Sequence, residues 1–297
     1  MVVMVIGSNG QLGWELRRAL AVLGPVTSLG RAELDLADAD AIRATLREHA
    51  PALVVNAGAY TAVDRAESEP ALAEAVNAVA PGVLAEECVR LGAALIHYST
   101  DYVFDGTQRT PYVETDATRP LSVYGRTKLE GEQAVQAAGG AYVIFRTAWV
   151  YASRGRNFLL TMRRLSNERD ELHVVDDQVG SPTWARLLAQ ATARIVRDSN
   201  LLETRDTGWL RERSGVYHLA CAGQTSWCGF ARAIVEQVPG ARRVPVKPIA
   251  TSDYPTPARR PAYSVLNCDK ALRVFGIRLP SWDEALRQCA AAMAAGG

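Results

Sequence analysis

A chain of 297 residues, 48% hydrophobic and 22% charged, is long enough to bury one large α/β core or two closely joined ones. Its formal net charge of +1 supplies no field to hold nucleic acid or an anionic membrane. No apolar run approaches the roughly 20 residues that span a bilayer. The five cysteines make no Cys-x-x-Cys pair and the four histidines are scattered, which predicts a cytoplasmic, reduced, metal-independent protein.

The opening Met1-Val-Val-Met-Val-Ile6 lacks the basic head and cleavage site of a signal peptide and reads as a buried strand, Val2–Ile6. Further short apolar runs at Val26–Leu29, Leu53–Asn56, Leu95–Ser99 and Tyr142–Arg146 suit strands. Helical spacing fills the gaps at Gln11–Leu23, Ala39–His49, Pro70–Leu91 and Tyr124–Ala137, with Asp38 or Asp40 as N-cap of the second. Strand–helix alternation over residues 1–150 predicts an α/β, Rossmann-like doubly wound parallel sheet covered on both faces.

After Arg146 the rhythm loosens. Helices are expected over Phe158–Glu168 and Thr183–Arg197, and a late strand over Val216–Ala220. Asn200–Ser214, rich in both charge signs, reads as a surface loop. Pro245–Pro261 holds five prolines and is extended or turning, and a last helix runs over Trp282–Met293 behind Ser281. Residues 1–150 are the expected dinucleotide-binding domain, with 183–220 packing back onto it. Residues 151–297 are expected to form mainly a smaller substrate-binding lobe.

The first strand runs straight into Gly7-Ser-Asn-Gly10-Gln-Leu-Gly13. Glycines there permit a tight turn, close approach to a pyrophosphate and close helix–sheet packing, while free N–H groups and the helix dipole hold phosphates. The second strand ends Ser28-Leu29-Gly30-Arg31 with no acid to grip a ribose 2′-hydroxyl. Arg31 can pair with a 2′-phosphate, which favours NADPH over NADH. Asp35 and Leu36 fall where an adenine edge would lie, and Asn56-Ala-Gly-Ala59-Tyr60-Thr61 forms a small-residue loop beyond the third strand.

Only three lysines accompany thirty arginines, and Lys128 sits four residues after Tyr124. Chance supplies about 0.1 such pairs in this composition. On a helix the two share a face, and a neighbouring ammonium favours a phenolate. Thr100 closes the fourth strand, so its hydroxyl projects into the same crevice. The three form a proton-transfer set: Thr100 polarises a carbonyl, Tyr124 moves the proton and Lys128 tunes Tyr124.

The glycine turn, Ser99-Thr-Asp-Tyr-Val-Phe-Asp-Gly106 and Tyr124-Gly-Arg-Thr-Lys128 together resemble the extended short-chain dehydrogenase/reductases. Thr61–Pro70, Phe145–Tyr151, Asp177–Thr183 and Tyr254–Pro261 narrow the resemblance to the branch that reduces the C4 ketone of dTDP-4-dehydro-L-rhamnose. That resemblance implies cofactor contacts at Gly10, Gln11, Leu12, Asp35, Leu36, Ala59, Tyr60, Thr61, Tyr124 and Lys128. It implies sugar-nucleotide contacts at Thr100, Asp101 and Trp149, and an asparagine, Asn77, that props the active-site backbone. Arg259 or Arg260, with Arg260 preferred, is expected to meet the substrate diphosphate.

Some members of the branch bind magnesium at a dimer contact. Glu15 matches one of their acids, but Arg186 stands where a glutamate is expected, which argues against the metal while leaving a homodimer open. Two other readings stay open on the sequence: a sibling sugar-nucleotide epimerase or dehydratase that recycles bound NAD, and a non-catalytic regulatory subunit of the same fold.

Overall fold

The computed structural model describes residues 2–295; Met1, Gly296 and Gly297, at the outer ends of the two expected units, lie outside the described residues. Five strands, β1 (Val3–Ile6), β2 (Val26–Leu29), β3 (Leu53–Asn56), β4 (Ala94–Thr100) and β5 (Ala141–Thr147), join Gly215–His218 in one parallel sheet. Their spatial order is β2-β1-β3-β4-β5 followed by Gly215–His218. Alternate side chains serve two cores. Val3, Val5, Leu53 and Val55 face Leu16, Leu188 and Ile195, whereas Met4, Ile6 and Val54 face Ile42, Leu46 and Leu84. Both faces being covered, the strands carry the unbroken apolar runs that parallel sheets require.

Helix α1 (Gln11–Ala21) packs on one face beside Ala185–Asp198, and α2 (Ala39–His49) packs on the other. Asp38, not Asp40, caps α2: its Oδ1 accepts from Asp40 N at 3.0 Å and Ala41 N at 2.9 Å. The predicted helix over 70–91 is broken by a π-helical turn, Ala75–Val79, between Pro70–Glu74 and Ala80–Leu91. The predicted helix over 183–197 begins with a short strand, Thr183–Trp184, before Ala185.

Asn200–Ser214 is not a loop. It forms two short helical turns, Leu201–Thr204 and Gly208–Arg211, that drive Leu201 and Leu210 into the main core. Apolar burial of those two side chains outweighs the polarity of their neighbours. The proline-rich stretch supplies Val246–Ile249, which pairs in parallel with Leu172–Val175 as a two-stranded sheet outside the main one. Phe230, Leu279, Leu286 and Cys289 belong to the same continuous hydrophobic core as β1.

The chain winds from β1 to β2 in one direction and then crosses to β3 on the other side of β1. The crevice at the carboxyl ends of β1 and β3 is therefore the switch point at which such sheets bind ligands.

Candidate active site

At that switch point lies a cavity of about 830 Å³. The glycine turn builds one wall. Gly7 has φ +77°, and a Cβ there would stand 2.6 Å from Gly58 N on the facing loop. A Cβ on Gly13 would sit 2.1 Å from Gly7 O, so Gly13 acts through packing and does not line the cavity. Gly10 is the N-cap of α1 and offers no side-chain bond to the first turn. The free N–H groups of that turn, near Gln11 and Leu12, open onto the cavity as an anion cradle.

Arg31 is exposed on the rim, Asp35 accepts from Ala37 N at 3.0 Å, and Leu36 presses against Gly58. One expectation is corrected. The end of β2 does carry an acid, because Glu33 folds back and its Oε2 accepts from Gly30 N at 2.8 Å. Sequence spacing hid it: the carboxylate returns across three residues to a backbone donor.

Ala59, Tyr60 and Thr61 line the opposite wall. Their loop is held by Asn77, which accepts from Tyr60 N at 2.8 Å and donates to Tyr60 O at 3.1 Å and Thr127 Oγ1 at 3.3 Å. The π-helical turn is what aims Asn77 at the loop, and Gly131 lets the helix Val123–Ala138 approach within touching distance of the Asn77 backbone.

Thr100, Asp101, Tyr124 and Lys128 meet on the cavity floor. Thr100 Oγ1 accepts from Tyr102 N at 3.1 Å and donates to Asp101 Oδ1 at 3.0 Å. Burial raises the Asp101 carboxyl to about 7, and its Oδ2 has no partner among the described residues. Tyr124 packs edge-on against Tyr102, and burial raises its phenol to about 12. Lys128, almost fully buried, donates to Tyr98 O at 2.7 Å and lies 3.3 Å from His97 Nε2. Burial lowers its amine to about 8. In this arrangement the lysine is turned to β4, and the phenol's proton affinity is set by burial rather than by the amine.

Trp149 adopts φ +47°, a strained value for a bulky residue. It stacks on Trp227 with centroids 3.5 Å apart and planes 2° apart. The half-buried indole lines the cavity while packing against the buried cluster around Phe104 and Tyr112. Gly180 makes room for it, since a Cβ there would come within 2.4 Å of the ring.

Arg260 stands elsewhere: its guanidinium forks onto Asp64 at 2.8 and 3.0 Å and does not line the cavity. Arg259 is exposed and also off the cavity wall. Residues that sequence reading missed include Tyr102, Arg156, Asn157 and Trp227. Asn157 donates to Gln11 Oε1 at 2.9 Å, which ties the 152–157 turn to α1 and sets Arg156 over the anion cradle's side of the cavity. Only the basic, glycine-bearing run Arg154-Gly-Arg156-Asn157 hinted at this.

The magnesium expected of some relatives does not fit these residues. Glu15 is buried against Arg186 Nε at 3.2 Å, so a guanidinium takes its charge. No cluster of three or more metal-ligating side chains occurs among the described residues. A dinucleotide does fit, in the glycine cradle and between the two loops.

A parallel sheet with a glycine turn at its switch point and a Tyr/Lys pair on the floor defines a short-chain dehydrogenase/reductase. The sequence matches the family described as RmlD substrate binding domain over residues 1–295. It is 52% identical to a dTDP-4-dehydrorhamnose reductase of Burkholderia thailandensis over 97% of this chain and 98% of that one. It is 43% identical to the Escherichia coli K12 enzyme of the same name over 97% and 96% of the two chains. A Clostridium acetobutylicum dTDP-4-dehydrorhamnose reductase structure superposes with TM-score 0.89 at 37% identity, over 99% of this chain and 100% of that one. A Bacillus anthracis reductase of that name, in complex with NADP, gives 0.86 at 34% identity over 97% and 98%. The chain belongs to the dTDP-4-dehydrorhamnose reductase family.

Proposed function

We propose that this protein reduces the C4 ketone of dTDP-4-dehydro-L-rhamnose to dTDP-L-rhamnose with NADPH. The observation that carries the reading is the convergence of Thr100, Tyr124, Lys128 and Trp149 on one cavity whose far wall is the glycine cradle. The residues assigned to cofactor and substrate, and the division into a 1–150 cofactor unit and a mainly substrate-binding 151–297 unit, are part of this proposal.

Bound NADPH supplies the hydride. Gly10, Gln11 and Leu12 receive its diphosphate, with Gly7 and Gly13 giving the turn its shape. Arg31 takes the 2′-phosphate, Asp35 and Leu36 border the adenine, and Ala59, Tyr60 and Thr61 line its path. Arg156 adds a cation on the cradle side. Trp149 offers an apolar face to the sugar ring, and Asp101 accepts from a sugar hydroxyl. With Arg260 bound to Asp64, its part is to hold the 254–261 segment against the Asp64 turn rather than to reach the diphosphate.

A ketone becoming an alkoxide needs charge stabilisation and one proton. Thr100 turns its hydroxyl from Asp101 to the carbonyl oxygen. The raised Asp101 carboxyl tolerates that loss because it can hold its own proton near neutral pH. Tyr124 then gives its proton to the same oxygen. A phenol raised to about 12 is fully protonated at neutral pH, which suits the reducing direction. Lys128 stabilises the phenolate that results.

The same reading makes this a cytoplasmic protein, in keeping with five unpaired cysteines, four of them buried. This reading leaves a homodimer open. Such a dimer would not be bridged by metal at Glu15, because Arg186 already occupies that carboxylate. Coupled turnover tests the function: the 4-keto-L-sugar nucleotide with NADPH should show loss of nicotinamide absorbance. Absence of any loss with either NADPH or NADH refutes it.

A further inference from the structure

Beneath the cavity floor, four polar groups form one hydrogen-bonded line with a fixed direction. Gly58 N donates to Asn56 Oδ1 at 3.0 Å, and a backbone N–H can only donate. Asn56 therefore presents its NH2 to His97 Nδ1, 3.1 Å away, and that ring nitrogen accepts. A neutral imidazole with an accepting Nδ1 carries its proton on Nε2. This Nε2 faces Lys128 Nζ at 3.3 Å, while the amine donates to Tyr98 O at 2.7 Å. An ammonium has no lone pair to receive the Nε2 proton; a neutral amine has one. The arrangement thus belongs to an uncharged Lys128.

A charged Lys128 demands the opposite pattern. The Nε2 proton passes to the amine, one solvent proton enters at Nδ1, and the imidazole stays neutral. Asn56 must then turn its Oδ1 to Nδ1–H, and Gly58 N loses its acceptor. We propose that His97 is a positioning residue whose tautomer couples the charge of Lys128 to the backbone amide of Gly58 in the cofactor loop.

The surroundings leave His97 in control. Glu132, one turn along the helix, is bound by Arg146 at 2.7 Å and takes a hydrogen bond from Ser99. Tyr124 lies one turn back, with Asp101 beside it. Among the described residues of β4, His97 is the side chain that hydrogen-bonds the amine, and it is fully buried and kept neutral by that burial and by Lys128 itself. Burial brings the Lys128 amine down to about 8, so both patterns are reached in ordinary buffers. The link to cofactor rests on the function proposed above; the tautomer does not.

Nitrogen-15 NMR of histidine-labelled protein without cofactor reads the tautomer, with the His97 signals assigned by loss in His97→Gln. The expected result is Nε2–H at about pH 9.5, Nδ1–H at about pH 6.5, interchange near pH 8 and no interchange in Lys128→Met. A single tautomer throughout, or interchange that survives Lys128→Met, overturns the proposal. Calorimetry of NADPH binding in buffers of different ionisation enthalpy reads the coupling. Wild type should take up a fraction of a proton at about pH 8.5, and His97→Gln, whose amide can offer oxygen to an ammonium, should cut that uptake at least about two-fold. Equal uptake in the two proteins overturns the link to the loop. Failure of sugar-nucleotide turnover would leave the NMR result standing, so the two readings fail separately.

Discussion

Tyr124 and the Arg31/Glu33 pair carry the sharpest consequences at the scale of single residues. Removing the phenolic hydroxyl in Tyr124→Phe deletes the proton donor but no cradle contact. Turnover should fall by roughly 10²–10⁴, as loss of a general acid does, while NADPH still quenches protein fluorescence with near-normal affinity. Near-normal turnover by that variant would remove Tyr124 from the mechanism. On the proposed function, Arg31 on the cavity wall and Glu33 behind Gly30 pull cofactor choice in opposite directions: a guanidinium attracts a 2′-phosphate, and the Glu33 carboxylate at Gly30 N repels one. Arg31→Ala should lower kcat/KM for NADPH by about 10-fold or more and leave NADH nearly unchanged, the worth of one charge-assisted hydrogen bond. Glu33→Gln should raise the NADPH:NADH ratio; an unchanged ratio would show that Glu33 takes no part in the choice. The place of Arg31 on the cavity was legible because it follows a strand ending in a turn. Glu33 was not, because only three-dimensional folding returns its carboxylate to Gly30. Arg260 shows the same limit over a longer reach: its partner Asp64 is 196 positions away in sequence, and no local pattern announces the pair.

Elements were legible wherever period and length agreed. The strand–helix alternation through β5 stands within a residue or two of its expected bounds, since buried parallel strands and amphipathic helices each impose their own repeat. Two elements escaped for physical reasons. The π-helical turn at Ala75–Val79 inserts one extra residue per turn, which leaves the helical pattern looking continuous while rotating Asn77 onto the Tyr60 loop. The two turns within 200–214 are four residues each, too short to show any period, and they bury only Leu201 and Leu210. Leu210→Ala should therefore cost about 2–5 kcal/mol by denaturant unfolding, the range for a truncated core leucine. A loss under about 0.5 kcal/mol, the usual cost at a surface site, would restore the loop reading of this segment.

On the scale of the whole molecule, acid stability is decided by buried groups whose proton affinities folding has moved in opposite directions. Burial lowers His218 to about 3 and His97 well below its ordinary value, so both fold uncharged. Between about pH 4 and 6.5 an unfolded chain protonates these two rings while the folded one does not. Burial raises Asp101 to about 7, so across the same window the folded chain keeps a proton that the unfolded chain releases. Unfolding in that window takes up two protons and gives back one. The net uptake of one makes stability rise with pH, at ~1.4 kcal/mol per pH unit where the groups are fully split between states. Lys128, lowered to about 8, adds a second rise between there and its unfolded value near pH 10.4, because the unfolded amine again binds the extra proton. Asp101→Asn removes the opposing carboxyl and should steepen the acid-side dependence toward twice the wild-type slope. His218→Phe keeps the ring that packs against Phe104, loses one titration and should flatten the dependence toward zero. Denaturant midpoints measured from about pH 4 to 6.5 on the three proteins give the order of slopes, Asp101→Asn above wild type above His218→Phe. An Asp101→Asn slope equal to that of wild type would mean that Asp101 is folded as a carboxylate, which would also take away its tolerance for losing the Thr100 hydroxyl to a substrate carbonyl.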